Sequence, residues 1–139
     1  MRNHKSIYYR NRHSCFLLQY QLVLVTKYRR QVLVNSLYER VVELTEKYFT
    51  DHDFQILDLQ VQPDFLIVSF EASPNEKICD FVNGFKTFTS RKVRKEYADF
   101  LSQQYEEPIF WSNSYLVTTL SEKTENAVNY YLEHQDKDV

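Results

Sequence analysis

The 139-residue chain contains one glycine, Gly84, and three prolines, so it has few of the residues that build flexible linkers. No apolar run is long enough to cross a membrane, and no apolar stretch near the N-terminus has the pattern of a secretion signal. The two cysteines form no metal-ligand pattern. We therefore expect a cytoplasmic protein with reduced thiols, folded as one domain.

Acidic residues are missing from residues 1–30, which contain seven lysines and arginines. A second basic cluster lies between residues 86 and 95, whereas the rest of the chain is rich in aspartate and glutamate and the net charge is −2. Net charge alone therefore says nothing about a nucleic-acid partner. The uneven distribution predicts one surface that binds phosphate groups and another that faces solvent, although such runs are more often simply solvated.

What the chain does contain is a hydrophobic fraction of 43% and an aromatic fraction of 16%, enough for a core built largely from Tyr and Phe. The order β-α-β-β-α-β followed by a C-terminal helix predicts an α+β fold with a ferredoxin-like antiparallel sheet and helices mainly on one face. Residues 1–15 are interpreted as a basic arm and residues 16–139 as a single domain. Apolar spacing predicts strands at residues 16–25, 54–61, 65–70 and 109–120, and helices at 36–49, from 74 to about 100, and after 121.

Capping residues predict where the helices begin. Ser36 with Glu39, and Ser73 with Glu76, have the spacing of capping boxes, in which the serine accepts from a backbone amide and the glutamate reaches back. Ser121 can cap the last helix.

Four stretches of the chain carry a resemblance to a known family. They are RHS at residues 12–14 with YQLVLVTKYRR at 20–30, NGFK at 83–86 with TSRKVRKEY at 89–97, FWSNSYLV at 110–117, and AVNYYLEHQ at 127–135. They resemble, in order, the first strand, basic helix, last strand and catalytic helix of the single-tyrosine HUH transposases of small bacterial insertion sequences, which include TnpA-like and REP-associated tyrosine transposases. The resemblance covers most of the chain from residue 12 to residue 135.

The resemblance implies a homodimeric enzyme that cuts single-stranded DNA at hairpin ends and joins a tyrosine to the 5′ phosphate. It implies that Tyr131 is the nucleophile and that Gln135 is one ligand of a Mg²⁺ or Mn²⁺ ion, held mainly by a His-x-His pair. Residues four apart share a helix face, so Tyr131 and Gln135 are expected together, with Tyr130 facing away. A free phenol has a pKa of about 10, and a metal that polarises the phosphate assists this weak nucleophile.

The chain departs from the family where the metal should bind. The family's third strand opens with Pro-Asp-His-hydrophobic-His, but residues 63–67 read PDFLI, so Phe65 and Ile67 replace both histidines. Gln21 stands where the first strand commonly has a histidine. Positions 65 and 67 share one strand face, but neither side chain offers a lone pair. We therefore expect no intact metal site, no bound cofactor, and a face that has become ordinary core, with Gln135 as a remnant ligand.

The DNA-binding residues that the resemblance implies are largely present. Arg91, Arg94 and Lys95 have the spacing of one helix face. Tyr28 and two tyrosines of the arm are candidates for stacking on unpaired bases. The predicted DNA-contacting set is Lys27, Tyr28, Arg29, Arg30, Lys86, Ser90, Arg91, Arg94 and Lys95.

Three hypotheses about function follow from the sequence. The leading one is a transposase-like protein that binds hairpin or single-stranded DNA with impaired cleavage, either as a decayed insertion-sequence copy or as a domesticated regulator. The second retains cleavage and 5′-phosphotyrosine formation, with the metal held by Gln135, Asp64 and water or with metal-free attack by Tyr131. The third is a dimeric interaction module with no role on DNA. The sequence leaves open whether the chain is an enzyme.

Overall fold

A computed structural model describes residues 9–10, 15–16, 18–121 and 124–137 of the chain. Most of the predicted arm, including Tyr8 and the side chain of Tyr9, lies outside the described residues. The strands are β1 (Tyr9–Arg10), β2 (Cys15–Phe16), β3 (Gln19–Val25), β4 (Gln55–Gln62), β5 (Phe65–Glu71) and β6 (Leu116–Thr119). The helices are α1 (Asn35–Asp51), α2 (Ile78–Glu96), α3 (Ala98–Gln104) and α4 (Thr124–His134).

The predicted ferredoxin-like sheet is confirmed. Its four strands are ordered β4-β5-β3-β6, and every neighbouring pair is antiparallel. The first and third strands of the β-α-β-β-α-β order are therefore central, and the second and fourth are at the edges. The short strands β1 and β2 pair with each other and, among the described residues, lie outside the four-stranded sheet.

One face of the sheet is covered by α1 and α2 and holds the main hydrophobic core. Alternate residues of the central strands point into it, because successive side chains of a strand lie on opposite faces. Four phenylalanines pack edge-to-face or stacked beneath the two helices, with centroids 3.9 Å apart for Phe54 and Phe81. This core contains Leu22, Leu24, Leu66, Val68, Phe70, Phe49, Phe54, Phe81 and Phe85, all buried.

The other face of the sheet is covered by α4, which packs against β3 and β6 of its own chain. Val23 and Val25 point to this face and are fully buried, and Val128 of α4 is also buried. Because α4 has only 11 residues, it leaves part of this face open. The prediction of helices mainly on one face agrees with this arrangement, in which α1 and α2 cover the core face and α4 packs on the other. None of the described helices combines the length and apolarity needed to cross a membrane.

Both predicted capping boxes are wrong. Helix α1 begins at Asn35 after the extended residue Val34, which places Ser36 inside the helix, and no side-chain cap bond forms. Helix α2 begins at Ile78, later than predicted, and the Ser73 hydroxyl accepts from the amide of Asn75 at 3.3 Å in the preceding turn. The first residue of each helix is set by the extended backbone just before it, not by the local capping pattern. The predicted cap at Ser121 stays a prediction, because residues 122–123 lie outside the described part.

Two predicted elements have different bounds in the structure. The second helix is interrupted at Tyr97, whose non-helical backbone (φ −123°, ψ 37°) separates α2 from α3. The last strand was expected over residues 109–120, but only Leu116–Thr119 pairs along β3. Before it, a single bridge joins Trp111 to Thr26. The apolar residues of that segment are explained by burial of Phe110 and Trp111 against the core rather than by strand pairing.

Candidate functional site around Tyr131

Tyr131 lies on the side of α4 that faces the sheet, whereas Tyr130 points to solvent, as predicted. The Tyr131 hydroxyl is 2.8 Å from the Ser114 hydroxyl, and either oxygen can donate. Burial raises the pKa of the Tyr131 phenol and outweighs the lowering by the Ser114 hydrogen bond, while Asp136 raises it and Arg29 lowers it by smaller amounts. Tyr130 is 67% exposed and stacks on His134 at 4.1 Å. The phenol of Tyr131 is therefore held protonated.

A polar cluster continues from Tyr131 to the end of α4. The Gln135 side-chain nitrogen donates to the Ser112 hydroxyl at 2.8 Å and to Asp136 Oδ1 at 2.9 Å. The Ser112 hydroxyl donates to the same Asp136 oxygen at 3.0 Å, and the backbone amide of Tyr28 donates to Asp136 Oδ2 at 3.0 Å. Gln135 lies near Tyr131 as expected, but its amide is used to fix α4 in place.

Arg29, a member of the predicted DNA-contacting set, anchors the same end of α4. Its guanidinium forms an ion pair with Asp64 at 2.9 Å and donates to the carbonyls of Leu132 and Gln135. A cation at the last carbonyls of a helix satisfies unpaired acceptors and opposes the helix dipole. Because the Arg29 side chain is only 11% exposed, it has little freedom to meet a phosphate.

The loop that carries Arg29 has an unusual backbone. Tyr28 and Arg29 both have positive φ, 58° and 53°, which costs about 1 kcal/mol or more per residue. The Tyr105 hydroxyl donates to the carbonyl of Lys27 at 2.8 Å, and Thr26 Oγ1 donates to that of Arg30 at 2.7 Å. These bonds hold the Tyr28 ring in a half-exposed position, with the Lys27 ammonium 5.3 Å and the Arg30 guanidinium 5.9 Å from its centre.

Phe65 and Ile67 do not belong to the core, which corrects the expectation for this face. Both side chains are partly exposed and line an open groove of about 540 Å³ between the sheet and α4. They lie opposite Val25 and Val23 in the β3–β5 register. They form an apolar patch in a groove whose lining also includes the polar side chains of Gln21, Asp58, Gln60 and Glu125. Leu132 of α4 lines this groove, whereas Tyr131 is directed away from it toward Ser114.

Two carboxylates, Asp58 and Glu125, line this groove, but the positions where the family has its histidine pair do not fit a divalent metal. Phe65 and Ile67 offer no donor atom, and the Gln21 amide nitrogen donates to Ser69 Oγ at 2.9 Å. Asp64, considered as a substitute ligand, is already paired with Arg29. In the part of the chain that the structure describes, no group of three His, Cys, Asp or Glu side chains converges on one point. Magnesium and manganese prefer several oxygen ligands arranged together.

The remaining basic residues of the predicted set lie in separate places. Lys86 is half-buried and donates to the carbonyl of Ser112 at 2.8 Å; burial and then Lys27 lower the pKa of its ammonium. Ser90 lies beside Lys86 in a shallow cavity of about 250 Å³. The expectation that Arg91, Arg94 and Lys95 share one face is wrong for Arg94.

Arg94 is turned toward α3. It lines a cavity of about 270 Å³ with Leu101 and Tyr105, and its Nε atom is buried without a hydrogen-bond partner. The cause is the break at Tyr97, since α3 folds over the side of α2 that bears Arg94. Arg91 and Lys95 remain exposed on the outer side of α2.

Three residues that organise the site could not be identified as site residues from the sequence alone. Ser112, Ser114 and Asp136 receive or donate the bonds that fix Tyr131 and Gln135. The serines have a strand-like spacing of two, but no local signal pairs them with a helix about twenty residues later. Their pairing with α4 can be recognised only in the folded structure.

Comparisons with known proteins find transposases of similar sequence and fold. The family described as IS200-like transposases matches residues 14–135. The ISDra2 transposase TnpA of Deinococcus radiodurans is 28% identical over 120 residues, covering 86% of this chain and 85% of that protein. A crystal structure of a putative transposase from Deinococcus radiodurans matches 91% of this chain and 97% of its own, with a TM-score of 0.83 and 30% identity. A REP-associated tyrosine transposase bound to a REP hairpin shares the fold, with a TM-score of 0.58 and 10% identity over 91% of this chain and 74% of that one.

Proposed function

Because this chain belongs to the IS200-like transposase family, we propose that it binds hairpin or single-stranded DNA at insertion-sequence ends, with metal-dependent cleavage by Tyr131 lost or strongly impaired. The observation that supports impaired cleavage is the groove that Phe65 and Ile67 line. With Phe65 and Ile67 in place of a histidine pair, the two central positions of this groove offer no ligand to a metal that could act as a Lewis acid on the phosphodiester.

The nucleophile is also unsuited to attack without a metal. Tyrosine must lose its proton to become a good nucleophile, and enzymes usually lower the pKa of that group or place a base beside it. Here burial raises the pKa of Tyr131, and the group bonded to its hydroxyl is Ser114, a very weak base. This disfavours the alternative of metal-free 5′-phosphotyrosine formation.

Binding is supported by the loop at residues 27–30. Lys27 and Arg30 flank the Tyr28 ring, which is 37% exposed. An aromatic ring beside cations is the combination that single-strand binders use, the ring for a base and the cations for phosphates. The related REP-associated transposase was solved bound to a hairpin, and we extend a hairpin ligand to this chain by proposal.

We also propose a homodimer, as the family resemblance implies. Light scattering coupled to size exclusion tests it directly, with the mass of a 16.8 kDa monomer as the contrary result.

The proposed function is tested with a labelled hairpin oligonucleotide that has single-stranded flanks. We expect binding that weakens steeply with salt, since roughly four to six phosphate contacts release that many counterions. We expect no nicking and no covalent adduct on a denaturing gel with either Mg²⁺ or Mn²⁺.

The matched controls are Tyr131→Phe and a related intact transposase assayed in parallel. Metal-dependent nicking and an adduct that disappears in Tyr131→Phe would show that cleavage persists. No salt-sensitive binding at micromolar protein would remove the DNA role and favour an interaction module.

A further inference from the structure

Tyr105 connects α3 to the loop at residues 27–30. It is the first residue after α3, its side chain is buried, and its backbone amide donates to the carbonyl of Leu101 at 2.9 Å. Its hydroxyl donates to the carbonyl of Lys27 at 2.8 Å, and its ring centre is 6.3 Å from that of Tyr28. Burial raises the pKa of this phenol, so the hydroxyl remains a donor over the ordinary pH range. The side chain therefore ties the end of a helix to a residue 78 positions earlier in the chain.

The carbonyl that Tyr105 binds is the one that closes the turn of this loop. The amide of Arg30 donates to the same Lys27 carbonyl at 3.2 Å, and a carbonyl oxygen can accept two hydrogen bonds. Between these two residues lie Tyr28 and Arg29, both with positive φ, a region that residues other than glycine seldom adopt. Such a turn persists only where its surroundings hold it.

Helix α4 holds the other side of the same loop. Asp136 accepts from the amide of Tyr28, and Arg29 donates to the last carbonyls of α4. These bonds fix the backbone in the middle of the turn. The ring of Tyr28 is approached by Lys27 and Arg30, but both have long side chains that can move. Tyr105 is therefore the rigid neighbour that sets the position of this ring.

Open space lies on two sides of Tyr105. It lines a cavity of about 270 Å³ together with Arg94, and another of about 380 Å³ together with Tyr28 and Arg30. Close packing fixes the direction of a ring, and a ring beside two cavities has fewer such contacts. The hydroxyl bond to Lys27 is therefore needed to keep Tyr105, and with it the loop, in one position.

We propose that Tyr105 is a positioning residue for DNA binding by the loop at residues 27–30. It does not contact the strand. Through the Lys27 carbonyl, it keeps the turn in the conformation that presents the Tyr28 ring between two cations. A ring already held in place stacks on an unpaired base without the loss of freedom that a mobile ring would suffer. This inference rests on the proposed function, because the strand that Tyr28 meets is the same DNA.

The first test removes only the hydroxyl of Tyr105. In Tyr105→Phe the buried ring remains, so the chain is expected to fold, which thermal unfolding checks. Its affinity for a single-stranded oligonucleotide, measured by fluorescence anisotropy, is expected to fall roughly fivefold, because part of the stacking on one base is lost. The matched control is Tyr48→Phe, which removes a hydroxyl from a half-buried ring of α1 on the opposite face of the sheet and is expected to leave this affinity unchanged.

A double variant shows whether Tyr105 acts through Tyr28. Tyr28→Ala removes the stacking ring, so the addition of Tyr105→Phe is expected to cause no further loss of affinity. A residue that only stabilises the fold would cause a similar loss with or without the Tyr28 ring. An equal loss in the two backgrounds therefore overturns the proposal.

Hydrogen exchange measures the hold on the loop without any DNA. The amides of Arg29 and Arg30 donate to the carbonyls of Thr26 and Lys27. In Tyr105→Phe these two amides are expected to exchange roughly tenfold faster, because the turn opens more often, while buried amides of α1 keep their rates.

Each contrary result has a distinct meaning. Unchanged loop exchange together with unchanged affinity in Tyr105→Phe overturns the proposal and leaves the proposed function standing. Faster loop exchange with unchanged affinity shows that Tyr105 holds the turn but that DNA is bound elsewhere, which also overturns it. If the intact chain binds no DNA, the proposed function fails and the role of Tyr105 in DNA binding fails with it. The exchange rates then still show whether Tyr105 holds the turn.

Discussion

Neighbouring residues of β5 lie in two different environments. Leu66 and Val68 are fully buried in the core under α1 and α2, whereas Phe65 and Ile67 are partly exposed in the groove beside α4. The same strand therefore supports the fold with one set of alternate residues and the candidate site with the other. The difference teaches that the site can lose its chemistry while the fold is left intact.

The largest expected effect comes from placing histidines on each face of β5. Leu66→His with Val68→His buries two imidazoles without partners, which costs several kcal/mol, on the order of the whole stability of a small domain. Phe65→His with Ile67→His is expected to cost no more than about 2 kcal/mol, because both side chains are partly hydrated. Urea unfolding of the two double variants measures the difference.

The same groove variant has a second readout. Two imidazoles at positions 65 and 67 provide donors on one strand face, so Mn²⁺ or Zn²⁺ is expected to raise its melting temperature through binding to the folded state. The unaltered chain, treated with the same metal, serves as the control. Similar instability of the two histidine pairs would contradict the distinction between the faces.

A smaller effect is expected at the anchor of α4. Arg29→Gln leaves Asp64 unpaired and the last carbonyls of α4 without a cation, which we expect to cost roughly 2–3 kcal/mol. Because the core under α1 and α2 is untouched, the change should loosen α4 before the rest. Hydrogen exchange of α4 amides, with Arg40→Gln as the control for loss of an exposed ion pair, checks this.

A still smaller effect, which depends on pH, is expected from the tyrosines on the α4 side. Burial raises the pKa of Tyr131 and of Tyr105, so both stay protonated when the unfolded chain has already begun to ionise. Their contribution to stability is complete below about pH 10 and is lost as pH rises through the folded-state values. Urea midpoints between about pH 9 and 11 should fall less in Tyr131→Phe than in the parent chain.

The smallest effect is expected at Tyr130. Its side chain is largely exposed and contacts His134, so Tyr130→Ala should change stability by no more than about 0.5 kcal/mol. Thermal unfolding measures this change in stability. A loss comparable to that of Arg29→Gln would show that the outer side of α4 makes stabilising contacts.

The sequence predicted the fold well because its signals are periodic. Alternation in the hairpin and helical spacing around Phe81, Phe85 and Val93 come from burial, which acts at every position of an element. The capping boxes failed because a cap depends on the path of the chain before the helix. The expected strand from residue 109 failed because an apolar segment can be buried without pairing.

The candidate site was predicted only where it resembles a family. Tyr131 and Gln135 do lie together, but their partners Ser112 and Ser114 come from a segment that only the tertiary fold brings near. Arg29 and Arg94 were assigned to DNA because their charge is visible in sequence and their burial is not. A basic residue with a structural partner looks the same in a sequence as a basic residue without one.

The contact of Arg29 with Asp64 links two distant parts of the chain. Asp64 lies in the turn between β4 and β5, and Arg29 carries its charge to the final carbonyls of α4. Asp64 thus helps to hold the C-terminal helix in place, whatever role the strand beside it has. A mutation that removes this carboxylate is therefore expected to destabilise the end of α4, about seventy residues away in the sequence.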